Sequence, residues 1–505
     1  MVKANVVKGK DKGDTMKEGK SIKANIIFNF LIQIVTYLTP FILSPYLSRV
    51  LLASGIGEYT YGNSFAYYFC ILISFGFTSY GNKKIAEERD DISLYSRSFW
   101  KVVISKFILG FLSISTYISL VALNVFPNSV NYYVYLALLL LLIGEMLDIS
   151  FLFQGLEEFI SLSIINVAVN ILYMCFVFFF VRNIDDLIVY SFLKSGIKLA
   201  CSIIMWVVAS RKVSFVSLRL VDVFETFKSS VFYFLPSLVM TISPSLDMLM
   251  IGGFGGNLEV GYYEQVHKIV ALICSLIYAL GPILLSRISY LKKDKNDAEA
   301  NNKFKKLIKG GCLILLPSIF GLLSICQYFV PLYFGDDFYP AINVMYAFLP
   351  EIFFSCISSM IINSFFYPEE KTISCTLIVF VSTLLNFLMN LFFISRFGAF
   401  GAAIASSLSG FIQMMCLIWF SKKKIFFDVL VKGVWKIALS SIIMMGSIFL
   451  FNYLLDVFSI NKNFVIVLSD ILFGAFVYSA CLLILKEDIV YELIKSMFKR
   501  KGLKK

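Results

Sequence analysis

Residues 184–209, IDDLIVYSFLKSGIKLACSIIMWVVA, form a run long and apolar enough to cross a bilayer, yet Lys194 and Lys198 lie one helical turn apart in its middle. A spanning helix needs roughly 20 mostly apolar residues. An ammonium group at membrane depth costs at least about 2.5 to 3.5 kcal/mol on insertion scales, so such residues face a bundle interior or a wet cavity. At i and i+4 the two lysines share one helix face and can point inward together. This stretch therefore predicts a membrane helix and a cationic interior.

The apolar part of the pattern recurs along the 505 residues, of which 59% are hydrophobic and 15% charged, with a mean hydropathy of +0.81. The runs divide into fourteen predicted spans, beginning with 23–47 and 60–81 and ending with 434–456 and 464–485. The fold class is thus all-α and polytopic. The net charge of +12 is explained by topology. Lys83, Lys84, Arg211, Lys212, Lys292, Lys293, Lys422 to Lys424 and both basic tails fall on one side, whereas the other has Arg49, Arg182, Arg396 and Lys462. The positive-inside rule then places both termini in the cytoplasm, with anionic lipid headgroups as partners of the basic loops. No basic patch with interleaved aromatics stands apart from a membrane boundary, so nucleic acid is not an expected partner.

The first two dozen residues are polar and basic, and the apolar run after them is too long for a cleavable signal, so span one is expected to persist. All ten cysteines fall in apolar runs without CxxC spacing, which indicates neither metal nor disulfide chemistry. Gly19-Lys20-Ser21 imitates the end of a phosphate-binding loop, but Asp14 stands where the earlier glycine belongs. With one histidine, His267, and no nucleophile elbow or HExxH, the chain is read as a non-enzyme without a cofactor.

Long-range order is more informative. Span one carries Pro40 and Pro45 and is followed by Gly55-Ile56-Gly57-Glu58-Tyr59; span seven carries Pro236 and Pro244 and is followed by Gly252-Gly253-Phe254-Gly255-Gly256. Proline-broken helices so open each half of a six-plus-six parallel repeat, and interrupted helices in corresponding positions point to a site between the halves. The division is a basic tail 1–22, a six-helix half 23–209, a linker 210–228, a second half 229–420, a linker with two further helices 421–485, and a basic tail 486–505 that reads as amphipathic.

Several stretches carry a family resemblance. Pro45-Tyr46-Leu47-Ser48-Arg49-Val50-Leu51, Gly57-Glu58-Tyr59 and Tyr80-Gly81-Asn82-Lys83-Lys84-Ile85-Ala86 resemble the opening of bacterial polysaccharide flippases. Leu147 to Glu157, Leu246-Asp247, Gly261-Tyr262-Tyr263-Glu264, Leu284-Leu285-Ser286-Arg287-Ile288, Asn386 with Asn390, and Gly398 to Ala405 continue it in order, over residues 23 to 420. Many relatives have a proline before the arginine at Leu284-Leu285-Ser286-Arg287, and this chain does not. The resemblance implies two six-helix lobes around a central cavity plus two C-terminal helices. It also implies transfer of an undecaprenyl-pyrophosphate-linked oligosaccharide across a bacterial cytoplasmic membrane, alongside other polysaccharide-assembly membrane proteins.

Under that expectation, Arg49, Lys194, Lys198, Lys268 and Arg287 are candidates for a cationic cavity. Each has a structural alternative: acids on another helix for Lys194 and Lys198, snorkelling for Arg49, an intrahelical pair with Glu264 for Lys268, and a topology anchor for Arg287. Lys106, near the end of span three, is expected to snorkel. Glu145 and Asp148 share a face of span four; with Asp247 and Glu351 they are candidates for coupling to H+ or Na+, or for pairing with the buried lysines. Asn166 with Asn170 and Asn386 with Asn390 are candidates for cavity contacts or interhelical hydrogen bonds. A drug, cation or lipid II exporter is the alternative within the superfamily, and a membrane-embedded polymerase the alternative outside it.

Overall fold

The computed structural model describes residues 12–127, 129–279, 281, 285, 288–290, 297–421, 433–457 and 463–491. Arg287, most of the predicted linker 421–433 and most of the basic tails lie outside the described residues. All regular structure among the described residues is helical, as a chain that must satisfy its backbone inside lipid requires.

Helix α1 spans Lys12–Ser74 and reverses at Leu52 (φ 58°), which divides it into two arms. Helices α2 (Phe77–Glu88), α3 (Ile92–Ala122), α4 (Tyr132–Leu147), α5 (Ser150–Gly155), α6 (Phe159–Phe180) and α7 (Leu187–Ala209) follow. Helix α8 (Leu220–Tyr278) reverses at Gly256 (φ 80°), the position in the second half that corresponds to Leu52 in the first. Then come α9 (Asp297–Phe334), α10 (Ala341–Ile361, continued by a π-helical turn Ile362–Phe366) and α11 (Thr372–Ser421), which reverses at Gly398 (φ 54°). Helices α12 (Trp435–Val457) and α13 (Asn463–Ile484) complete the chain. Nine helices among the described residues are long and apolar enough to cross a membrane, with α11 counted once and α1 and α8 not counted. Divided at their reversals, α1, α8 and α11 restore the order of the fourteen predicted crossings.

Several boundaries differ from the sequence reading, among them the loop predicted between spans one and two, which shrinks to the turn at Leu52. Span two ends at Ser74, not at residue 81, because Phe75 (φ 36°) and Gly76 (φ 72°) leave helical space. The residues beyond form α2, which buries Phe77, Gly81 and Ile85 at a spacing of four and leaves its lysines outward. Span four is interrupted after Leu147, where Asp148 is extended (φ −66°, ψ 119°). The predicted loop between spans seven and eight shrinks to the turn at Gly256.

The two lobes meet along α1 and α8. At the end away from the basic loops, Gly57 faces the backbone of Asn257 and Gly261, and Gly261 faces Ala53; a methyl group at either glycine would overlap main chain. Asp337 accepts the Ala53 amide at 2.7 Å nearby. At the basic end, the rings of Phe75 and Phe234 stack at 4.6 Å, and Asp222 pairs with Lys101 at 2.9 Å and Arg97 at 3.1 Å. The Lys101 ammonium, the Arg219 amide and Arg97 together hold the Asp222 carboxyl well below the usual carboxylate range. Polar space between these two closures is therefore bounded by both lobes.

Candidate functional site

A cavity of about 750 Å³ lies between the lobes, lined by Lys194 and Lys198 of α7, Asp148, Asn166 and Asn170 from the first lobe, and Glu264, His267 and Lys268 of α8. Its first-lobe wall depends on the break in α4. The last four carbonyls of a helix lack intrahelical partners. Here Ser202 Oγ donates to Gly144 O at 2.8 Å, Trp206 Nε1 to Leu147 O at 2.8 Å, and Lys106 Nζ to Asp148 O at 2.9 Å. Gly144 lets α4 approach the α7 backbone at Lys198 and Leu199, where any side chain would collide. This approach brings four charges together. Lys198 lies 3.1 Å from both Glu145 and Asp148, while Lys106 lies 3.6 and 3.8 Å from the same two acids. Asp148 also accepts the amide of Ser150 at 3.0 Å. Two ammonium groups and two carboxylates make this cluster formally neutral.

Lys106 does not snorkel: it is 1% exposed and fully engaged. Its sequence neighbourhood held a signal, because Gly110 and Ser113 on the same helix face mark a close-packed stripe. Lys194 stands apart from the cluster. Its Nζ sits 5.5 Å from the centre of the Tyr173 ring, and among the described residues no carboxylate comes within the 4.0 Å of an ion pair. The charged groups that act on it are Lys268 and Glu264, which pair with each other at 3.2 Å. Gln265, which sequence reasoning passed over, ties α8 to the first arm of α1 by accepting from Ser44 and donating to Ser48 at 2.8 Å.

Arg49 is not among the residues lining this cavity. Its guanidinium donates to the carbonyls of Pro45, Tyr333 and Leu332 at the contact between α1 and α9, so it bridges helix ends. Asn166 and Asn170 line the cavity, but each donates to a carbonyl four residues earlier in α6, both at 2.8 Å, rather than across helices.

The second lobe lines a further space of about 600 Å³, and His267 borders both spaces. Asp247, 4% exposed, accepts from Tyr263 at 3.0 Å and from Asn390 at 2.6 Å; Asn390 in turn donates to Asn386 at 3.1 Å. Glu351 accepts from Ser355, and its Oε2 is buried without a hydrogen-bond partner. Among the described residues neither acid has a cation within 4.0 Å. The expected pairing of buried acids with buried lysines therefore occurs for Glu145 and Asp148 and not for Asp247 and Glu351. No group of three or more metal-ligating side chains occurs among the described residues.

Two helical lobes around a charged cavity define a polytopic helical membrane protein. The fold is similar to that of a lipid II flippase, MurJ, solved in an inward closed conformation, with a TM-score of 0.72 at 17% identity over 92% of this chain and 99% of that one. An inward-facing MATE family multidrug resistance transporter of the MOP superfamily matches with a TM-score of 0.59 at 14% identity, over 78% and 94%. The chain belongs to the polysaccharide biosynthesis protein family, whose model matches residues 22–283. It is 22% identical over 273 residues to a protein of Escherichia coli (strain K12) named for O-antigen transport, covering 53% of this chain and 65% of that one. It is 23% identical over 239 residues to Agl15 of Haloferax volcanii, named for a flippase of low-salt glycan biosynthesis, covering 47% and 50%. The matches thus span between half and two thirds of these relatives' own lengths.

Proposed function

We propose that the protein is a secondary flippase that carries an undecaprenyl-pyrophosphate-linked oligosaccharide from the inner to the outer leaflet of a bacterial cytoplasmic membrane. The two lobes alternate access to the cavity, and both termini face the cytoplasm. The observation that carries this reading is Lys194, an ammonium group in the inter-lobe cavity with no carboxylate in ion-pair range among the described residues. The Lys106–Glu145–Asp148–Lys198 cluster is neutral by itself, so the excess positive character comes from Lys194. A desolvated pyrophosphate offers that group a charge-assisted partner, while the polyprenyl tail stays in lipid and the sugars occupy the polar space.

Asp247 and Glu351, which have no cation within 4.0 Å among the described residues, are the groups we assign to coupling with H+ or Na+. The same acids favour a second reading, export of a cationic drug. Under that reading Asp247→Asn abolishes export and Lys194→Gln does not. The decisive experiment depletes the protein from producing cells and locates the lipid-linked oligosaccharide. Flipping leaves single, unpolymerised units on the inner leaflet; their normal appearance outside removes the proposal.

A further inference from the structure

The two halves carry the same motif in corresponding helices: Asn166 and Asn170 in the fifth span, Asn386 and Asn390 in the eleventh. Their bonding differs. In the second lobe the pair is occupied across helices, Asn390 by Asp247 and Asn386 by Ser406 at 3.4 Å. In the first lobe each amide uses one N–H on its own helix, and the cross-helix contact is a thiol, Cys201 Sγ to Asn166 Oδ1 at 3.8 Å. A side-chain amide has two donors and two acceptor lone pairs. Among the described residues, each of these amides therefore keeps a second N–H and most of its carbonyl capacity, on residues that line the cavity. Opposite the cavity face, α6 shows Ile164, Ile171 and Leu172 more than half exposed or nearly so, as a lipid-facing surface would. Lipid contact and helix packing thus account for the apolar residues of α6 and not for its two amides.

We propose that Asn166 and Asn170 form a saccharide-recognition wall, distinct from the Lys194 charge, which reads hydroxyl or acetamido groups of the carried oligosaccharide. This inference rests on the flippase reading. Back-bonding to the helix fixes both amides in advance, so little conformational freedom is lost when a sugar takes their remaining positions. Gln154 on α5 and Asn63 on the second arm of α1 border the same space and extend the amide lining towards both closures.

The test uses the full-length protein in nanodiscs and two probes: undecaprenyl pyrophosphate without sugar, and the lipid-linked oligosaccharide extracted from producing cells. Wild type should bind the sugar-bearing lipid more tightly. N166A/N170A should reduce that preference about tenfold, the effect of losing two neutral hydrogen bonds, with the affinity for the sugar-free lipid unchanged. N170A alone should reduce it about threefold and serves if the double variant does not fold. K194Q should weaken both probes alike. Equal weakening of both probes by the asparagine variants, or an unchanged preference, overturns the saccharide wall while leaving the flippase reading intact. Failure of wild type to bind either probe overturns the flippase reading and this inference with it.

Discussion

The two lobes share one helical plan but solve the problem of buried charge in opposite ways. The first gathers two lysines and two acids around the broken end of α4 and leaves Lys194 outside the cluster. The second buries two acids with hydroxyl and amide partners and, among the described residues, no cation in range. A repeat fixes where helices cross; it does not fix the chemistry of the space they enclose. One lobe leaves a buried cation without an acid in ion-pair range, the other leaves two buried acids without a cation in range, among the described residues.

The comparison breaks most visibly at Asp148. Asp148→Ala would leave Lys106 and Lys198 sharing one carboxylate in a buried site, and should destabilise the protein by about 3 to 5 kcal/mol, read as a lowered unfolding temperature in detergent. Unchanged stability would mean that the cluster is held by packing alone. Lys194→Gln should leave the unfolding temperature in place and slow transfer roughly ten- to hundredfold, the effect of losing one charge-assisted hydrogen bond. Transfer at the wild-type rate would assign Lys194 to structure. Asp247→Asn is the mirror experiment. The amide oxygen can still accept from Asn390 while its NH2 donates to the Tyr263 hydroxyl, which reverses that bond, and no cation is orphaned, so stability should change by less than about 1 kcal/mol while the ion dependence of transfer disappears. Retained ion dependence would move coupling away from Asp247.

The smallest effect belongs to Asp222, outside the membrane. Its carboxyl is held low, so its contribution to lobe closure is present above the unfolded carboxylate range near pH 3.9 and fades only as pH falls through the depressed value. Wild type and Asp222→Asn should therefore differ by a constant small margin in unfolding temperature from about pH 8 to 5 and converge in stronger acid. A margin that varied between pH 8 and 5 would show that another group controls the closure.

Apolar runs and turn residues made the order of spans legible, and the reversal at Gly398 falls between two runs the sequence already separated. Partners across helices were not legible. Hydropathy placed Lys106 near a helix end, where a long side chain reaches water, and gave no measure of how tightly α3 packs on α4 and α7. Periodicity put Glu145 and Asp148 on one face, but only the extended backbone at Asp148 turns that carboxylate and its own carbonyl towards two different lysine contacts. For Arg49 the motif identified the residue, while the carbonyls that take up its guanidinium belong to α9, far away in sequence.

The glycine contact at Gly57 and Gly261 has a mechanical meaning. The arm of α1 from 53 to 74 leaves this contact as a rod roughly 33 Å long at 1.5 Å per residue. With main chain touching main chain at one end, that end would act as a fulcrum and the rod as a lever if the lobes tilt as proposed. A tilt of about 10° there sweeps the Phe75 end through about 6 Å, more than the 4.6 Å that separates its ring from Phe234. Substitutions at the pivot would then be felt chiefly as altered travel at the opposite face of the membrane.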